Sequence, residues 1–170
     1  LNQDTFPSWL FSVKHGATTI WERWDGWTPE KGFQDPGMNS FNHYSLGSCG
    51  QWMYTTIAGI DLDPRQPGYK HILIHPRPGG GLTMCKASYN SLHGAIQTEW
   101  RLEGEAYKLT VTIPANTTAS VFIDAPRDKI TEGGKPAEEA EGIKFDRADG
   151  DTQIFTVGSG TYEFSAPASK

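Results

Sequence analysis

The sequence holds 170 residues, with 15 Lys and Arg against 20 Asp and Glu and a formal net charge of −5. That length suits one ordinary domain or a small domain with an appendage. The acidic balance argues against nucleic acid or an anionic membrane surface as partner, since both call for a basic patch.

No apolar run approaches the ~18 residues of a membrane-spanning helix. Leu1-Asn2-Gln3-Asp4 has neither the basic start nor the apolar core of a signal peptide. The chain also starts without Met, so it reads as an excised piece or a processed product. Cys49 and Cys85 fall in different predicted elements, which predicts two free buried thiols rather than a disulfide.

In chain order, Trp9, Leu10 and Val13 fall at helical spacing. Asp4 or Thr5 can cap such a helix, Pro7 fits its first turn, and Gly16 suits a left-handed stop. The spacing predicts a short helix over about 6–15. Residues 17–39 read as a long loop after a brief extended Thr18–Trp21, because Gly26, Pro29, Gly32, Pro36 and Gly37 break any regular element. The loop carries Trp24, Trp27, Phe33 and Met38, so it should fold over something rather than be disordered. A second helix is predicted over 40–58, capped by Ser40 or Asn39 and ended by Gly59.

After a turn-rich linker at 61–69 the pattern changes to period two. Strands are predicted at 70–75, 82–89, 94–102, 107–113, 119–123, 153–157 and 161–164, with Leu109, Val111 and Ile113 on one face. Residues 135–152 read as a charged loop with at most a short strand at 143–145, and 165–170 as a frayed tail. The fold class is therefore mainly β with an N-terminal α-helical segment: an antiparallel, jelly-roll-like β-sandwich over 70–170, preceded by helices in 1–60. The sandwich can bury a core alone. Two helices with this many aromatics cannot, and their natural setting is a larger helical assembly.

The chemistry concentrates in Gly16–Trp27. Three of the six tryptophans, Trp21, Trp24 and Trp27, lie within seven residues, with Glu22, Arg23 and Asp25 between them. Indole faces beside carboxylates suit a sugar pocket, where C–H faces stack and carboxylates accept hydroxyls or move protons. The plain alternative is an aromatic cluster with a satisfied ion pair. On residue type alone Glu22 and Asp25 are equal candidates for a proton-transfer role. His71, His75 and His93 do not form a metal-ligand spacing, and no cofactor or metal is expected. Asn116-Thr117-Thr118 is a sequon by pattern but reads as a turn.

Four blocks carry a resemblance: Phe6-Pro7-Ser8-Trp9, Gly16–Trp24, Ser40-Phe41-Asn42-His43-Tyr44 and Gly47-Ser48-Cys49-Gly50-Gln51-Trp52. In kind and order they resemble the C-terminal part of bacterial α-L-rhamnosidases of glycoside hydrolase family 78. Gly59-Ile60-Asp61, Ile72–Pro76 and Val111–Ala119 resemble that family's passage into its C-terminal β-domain, and beyond about 125 the likeness is weak.

The resemblance implies that residues 1–60 correspond to the end of an (α/α)6 catalytic barrel and 70–170 to the terminal sandwich. It implies hydrolysis of terminal α-L-rhamnosyl bonds with inversion, Glu22 as general base, and His43 near the sugar. Trp21, Trp24, Arg23 and Asp25 would then surround the substrate, with Arg23 orienting a carboxylate. The family's general acid comes from an earlier barrel helix, and no stretch of these 170 residues resembles its motif.

Partners implied are rhamnose-containing glycosides. Contact with other copies through residues 1–60, or with the missing upstream barrel, would cover the apolar residues there. The compartment stays open between bacterial cytoplasm and periplasm or secretion. A different class of reading is a non-catalytic sugar-binding or structural sandwich with a helical appendage that drives oligomerisation.

Overall fold

The computed structural model describes residues 1–168. The chain divides into two compact units, Leu1–Trp52 and Met53 onward.

In the first unit, helix α1 spans Trp9–Lys14. Its cap is Ser8, whose Oγ accepts the Phe11 N–H at 3.0 Å. Asp4, predicted as a cap, instead pairs with Lys14, and Pro7 precedes the helix. Gly16 ends it at φ +86°, the left-handed value that glycine adopts without a Cβ penalty. A small hairpin comes next, β1 (Trp27–Thr28) against β2 (Gly32–Phe33), then 3-10 turns at Pro36–Met38 and Ser45–Ser48 and the short helix α2 (Cys49–Trp52).

The single helix expected over 40–58 is not formed. The Glu22 N–H donates to the Ser40 carbonyl at 2.9 Å and the His43 N–H to the Ile20 carbonyl at 2.9 Å. Backbone groups committed to that cross-pairing are not available to an intrahelical ladder.

The first unit buries little apolar surface. Among its described residues Trp21 is the one buried apolar side chain, beside buried Ser8, Ser12, Thr28 and Asn39. Phe33, Met38, Tyr44 and Trp52 are exposed.

The second unit starts with a π-helical turn, Met53–Ile57. Eleven strands come after it: β3 (Ile60–Leu62), β4 (His71–Ile74), β5 (Met84–Ser91), β6 (Gly94–Glu103), β7 (Ala106–Ile113), β8 (Thr118–Asp124), β9 (Thr131–Glu132), β10 (Lys135–Pro136), β11 (Ile143–Asp149), β12 (Thr152–Val157) and β13 (Gly160–Pro167). They form two sheets, in the order β10-β9-β13-β7-β6-β5 and β11-β12-β8-β4-β3. Neighbours are antiparallel except β4 and β8, which run parallel with Ile72 opposite Ala119.

The inner faces meet in one core. Ile96, Trp100, Leu109, Val111 and Phe164 come from the first sheet, and Ile72, Ile74, Val121, Ile123 and Phe155 from the second. Fully burying each such side chain contributes about 1.5–3 kcal/mol.

Several boundaries differ from the sequence reading, each for a local reason. Ile60–Leu62, assigned partly to the linker, pairs with β4 because Ile60 has a core position to fill. Thr131–Pro136 folds as a hairpin about Gly133 and Gly134, both at positive φ. β11 extends to Asp149 as an edge strand, so its charged side chains face solvent and imitate a loop. Ser165 and Ala166 pair with Lys108 and Tyr107 rather than fraying, and residues 169 and 170 lie outside the described residues. Asn116 sits at φ +60° in the turn between β7 and β8, where Thr117 Oγ1 donates to the Pro114 carbonyl at 2.7 Å. Both cysteines are free and half-buried.

A run of four carbonyls fastens the π turn to the sandwich. The Arg77 N–H donates to Thr56 at 2.9 Å, Trp100 Nε1 to Ile57 at 2.7 Å, Thr98 Oγ1 to Ala58 at 2.8 Å and the His75 N–H to Gly59 at 2.8 Å. A helix end leaves its last carbonyls without internal partners, and here strands and loop of the sandwich supply them. Gly59 has φ +73°, and a Cβ on it would lie 2.0 Å from the Pro76 nitrogen, so no other residue fits.

Two outcomes test this unit. Trp100→Ala should cost about 3–5 kcal/mol in urea denaturation, while Trp100→Phe should cost roughly 1–3 kcal/mol, mainly by stranding the Ile57 carbonyl; equal small losses would contradict the anchoring role. Asp63 is buried, and its carboxyl is held down to about 2 from 3.8 by hydrogen bonds from the Arg65 guanidinium and then its backbone N–H. Its folded value is depressed, so its stabilisation is present above pH 3.8 and lost as pH falls toward about 2. Asp63→Asn should therefore lower the urea midpoint at about pH 5 and match the unsubstituted chain near pH 2.

Candidate functional site

The residues singled out in the sequence lie on two neighbouring segments of the first unit, 20–25 and 39–44. Two backbone bonds join them, Glu22 N–H to Ser40 O and His43 N–H to Ile20 O, both at 2.9 Å. Thr19 Oγ1 adds a bond to the Phe41 carbonyl. Glu22 is also gripped by its side chain, since Oε2 accepts the Ser40 N–H at 2.8 Å. Backbone and carboxylate of one residue are thus both tied to Ser40, and among the described residues no cationic side chain is bonded to that carboxylate.

Arg23 turns to Asp25 instead. Nε meets Oδ1 at 3.0 Å and Nη2 meets Oδ2 at 2.9 Å, a two-pronged pairing. The guanidinium holds the Asp25 carboxyl below its ordinary value, and Asp25 in turn raises Arg23. The two carboxylates that sequence alone left as equals therefore have different surroundings. Asp25 is engaged by a neighbouring cation, and Glu22 by an amide.

His43 presents Nδ1 to the Ser45 N–H at 3.2 Å and stacks on Tyr44 with ring centroids 5.0 Å apart. That bond makes Nδ1 the acceptor, which leaves the proton on Nε2 in the neutral ring. Trp21 is buried with Phe41 edge-on at 5.2 Å. Trp24 meets Trp9 edge-on at 4.9 Å, and the Trp9 indole donates to the Leu46 carbonyl at 2.9 Å. Trp27 lies against His15, with centroids 5.4 Å apart. Trp9, Trp24, Leu46 and Trp52 line a hollow of about 520 Å³, and neither Glu22 nor His43 borders it.

One residue of consequence was read only as a possible helix cap. Asn39 is buried, and its Nδ2 donates to the Gly26 carbonyl at 2.9 Å. A Cβ on Gly26 would approach Asn39 Oδ1 to 2.6 Å, so a larger residue there would push the Asn39 amide from its place. Asn39 closes the loop that carries Glu22 through Trp27. A buried Asn bonded across 13 residues leaves no local pattern in the sequence. Among the described residues, no group of three His, Cys, Asp or Glu side chains could hold a metal ion. His71 bonds Thr118 and Ser120 through its two ring nitrogens, at 2.7 and 2.9 Å.

Comparison with known proteins gives a consistent result. Residues 1–57 match the family model for the bacterial alpha-L-rhamnosidase 6 hairpin glycosidase domain, and residues 59–138 match that for the bacterial alpha-L-rhamnosidase C-terminal domain. An alpha-L-rhamnosidase of Streptomyces avermitilis is 45% identical over 166 residues, 97% of this chain and 15% of its own length. One from Formosa agariphila is 37% identical over 184 residues, 98% of this chain and 18% of its own length. The crystal structure of the Streptomyces avermitilis alpha-L-rhamnosidase complexed with L-rhamnose superposes with a TM-score of 0.86 at 44% identity, covering 98% of this chain and 15% of that one. The chain therefore spans less than a fifth of the relatives it matches.

Asn39→Ala should speed amide exchange across residues 20–28 by about tenfold or more, the equivalent of one lost buried hydrogen bond. Unchanged exchange there would mean that other contacts hold the loop.

Proposed function

The chain belongs to the bacterial α-L-rhamnosidase family, whose C-terminal part it matches, and from that premise we propose that it is the C-terminal part of an inverting α-L-rhamnosidase, with Glu22 as the general base. The observation that carries the proposal is the double tie of Glu22 to Ser40, by backbone at 2.9 Å and through Oε2 at 2.8 Å. A base must keep one position while it takes a proton from water, and a peptide N–H is a fixed donor that does not compete for that proton. Asp25 is the poorer candidate because Arg23 occupies both of its oxygens.

In this reading His43 offers its Nε2 proton to a sugar hydroxyl. Arg23 and Asp25 form a rigid polar wall beside the base. Trp24 gives an apolar face, and Trp21 backs the segment from within. Inversion needs a second carboxyl ~6.5–9.5 Å away on the opposite face of the sugar, to protonate the leaving oxygen. None of these residues resembles the acid motif, so the acid and most of the barrel belong to sequence upstream of the match. The segment over 1–60 is then the end of the catalytic barrel, 61–69 the passage, and 70–170 the terminal sandwich. The substrate class is a terminal α-L-rhamnosyl glycoside.

The chain by itself should be a poor or inactive glycosidase. General acid–base groups contribute about 10²–10⁴-fold each, and positioning by the barrel contributes more. Incubation with an aryl α-L-rhamnoside should give no turnover above background. Robust turnover abolished by Glu22→Gln would show that a complete site exists within these residues and overturn the fragment reading.

The exposed Phe33, Met38, Tyr44 and Trp52 need cover that the described residues do not give. We propose that other copies supply it through residues 1–60 when no barrel does. Sedimentation should then show a dimer or larger species. A clean monomer whose residues 1–60 resist amide exchange would contradict this.

A further inference from the structure

The sandwich has a hollow of about 550 Å³ at the end where β6 turns into β7 and where β8 and β13 finish. The segment Pro76–Thr83 between β4 and β5 forms its rim, with Gly79, Gly80 and Gly81 in succession. Most of the wall is apolar, from Pro76, Leu82, Leu102, Phe122 and Pro167. The polar exceptions are Thr83, Tyr107, Arg77 and Asp124.

Buried polar atoms are normally bonded, and those that are not need a reason. Among the described residues three buried side-chain polar atoms lack a hydrogen-bond partner; one, Tyr107 Oη, is on the wall of this hollow, and another, His75 Nε2, belongs to the residue stacked on the lining Phe122. Tyr107 is 8% exposed and lines the hollow. His75 stacks on Phe122 with centroids 4.7 Å apart, and its Nε2 is 3.7 Å from Asp124 Oδ1, beyond hydrogen-bond reach. Burial, and then Arg77, hold the His75 pKa below its ordinary value against the pull of Asp124. Asp124 is fixed by Thr152 Oγ1 at 2.5 Å.

We propose that this hollow is a sugar-binding site, taking a neutral 6-deoxyhexose unit. The lining charges are one cation and one anion, which cancel, so neither an anion nor a cation is favoured. A sugar hydroxyl can both donate and accept, as an unpaired phenol, a carboxylate and a guanidinium together require. The apolar majority of the wall suits a ring with a methyl group and C–H edge in place of a fourth polar substituent. The volume falls in the usual range for small-ligand pockets, ~300–1,000 Å³, and exceeds one sugar unit. A second hollow of about 620 Å³ shares Arg77 and Asp124, so a longer saccharide can continue past them. None of these groups belongs to the Glu22 site. The choice of L-rhamnose as first probe rests on the rhamnosidase reading, whereas the site itself does not.

The test uses the full 170-residue chain, isotope-labelled, with amide shifts followed during titration. L-rhamnose should shift amides of 76–83, 102–107 and 122–124 with a dissociation constant of about 1–10 mM. Tyr107→Phe should weaken this by about tenfold. The same variant should leave the melting temperature unchanged or raised, because the hydroxyl it removes has no partner to lose. Glu22→Gln should leave binding intact. L-fucose binding without L-rhamnose would support a deoxyhexose site and show only that the first probe was the wrong member of that class. The proposal is overturned by any of three results: no localised shifts at about 50 mM sugar, binding indifferent to Tyr107→Phe, or the same amides answering to inorganic phosphate and not to sugar.

Discussion

Four consecutive carbonyls, Thr56 to Gly59, find their donors in the sandwich, and the second unit is arranged around that fact. The donors come from three places: the backbone after β4, the Thr98 hydroxyl and the Trp100 indole on β6. Trp100 is fully buried, so its N–H must be used, and the Ile57 carbonyl uses it. Gly59 is forced by the same closeness, because the chain passes against Pro76 with no room for a side chain. The π turn is the geometry that presents these carbonyls in sequence. From Ile60 the chain enters the sheet at once.

The two units solve opposite problems. The second closes two sheets over one core and leaves a hollow at one end. The first is held by backbone pairing, by Ser8, Asn39 and Ser40, and by one buried tryptophan, with large apolar side chains left open. A segment built this way has a well-defined loop and little apolar burial to stabilise it. We have proposed that its cover lies elsewhere, in an upstream barrel or in another copy. It agrees with the proposed chemistry as well, in which Glu22 would supply one half of a two-carboxyl reaction.

Much of the sandwich was legible because its strands report their own period. Leu109, Val111 and Ile113 alternate in sequence and alternate in burial. The strands that escaped notice are those whose reason is distant. β3 looks like a turn because it holds Asp61 and is followed by Asp63 and Pro64, and is a strand because β4 lies beside it. β11 looks like a charged loop because it is an edge. The helix expected over 40–58 failed on the same principle: nothing local in Ser40–Tyr44 says that Glu22 and Ile20 will claim its backbone. The candidate site was proposed from residue type and from family likeness. Its wiring was not, since the pairing of Arg23 with Asp25, and of Glu22 with the Ser40 amide, is a matter of geometry.

The fastening of Thr56–Gly59 is the feature on which the account of the sandwich stands, and amide and indole exchange measures it directly. The Arg77 N–H lies in a surface loop, where exchange is ordinarily fast. If the carbonyl run is the anchor, the Arg77 and His75 amides and the Trp100 indole N–H should exchange as slowly as the amides of β6 and β7, by opening of the whole sandwich. Exchange of all three at the rate of the neighbouring Gly79–Gly81 amides would contradict the account.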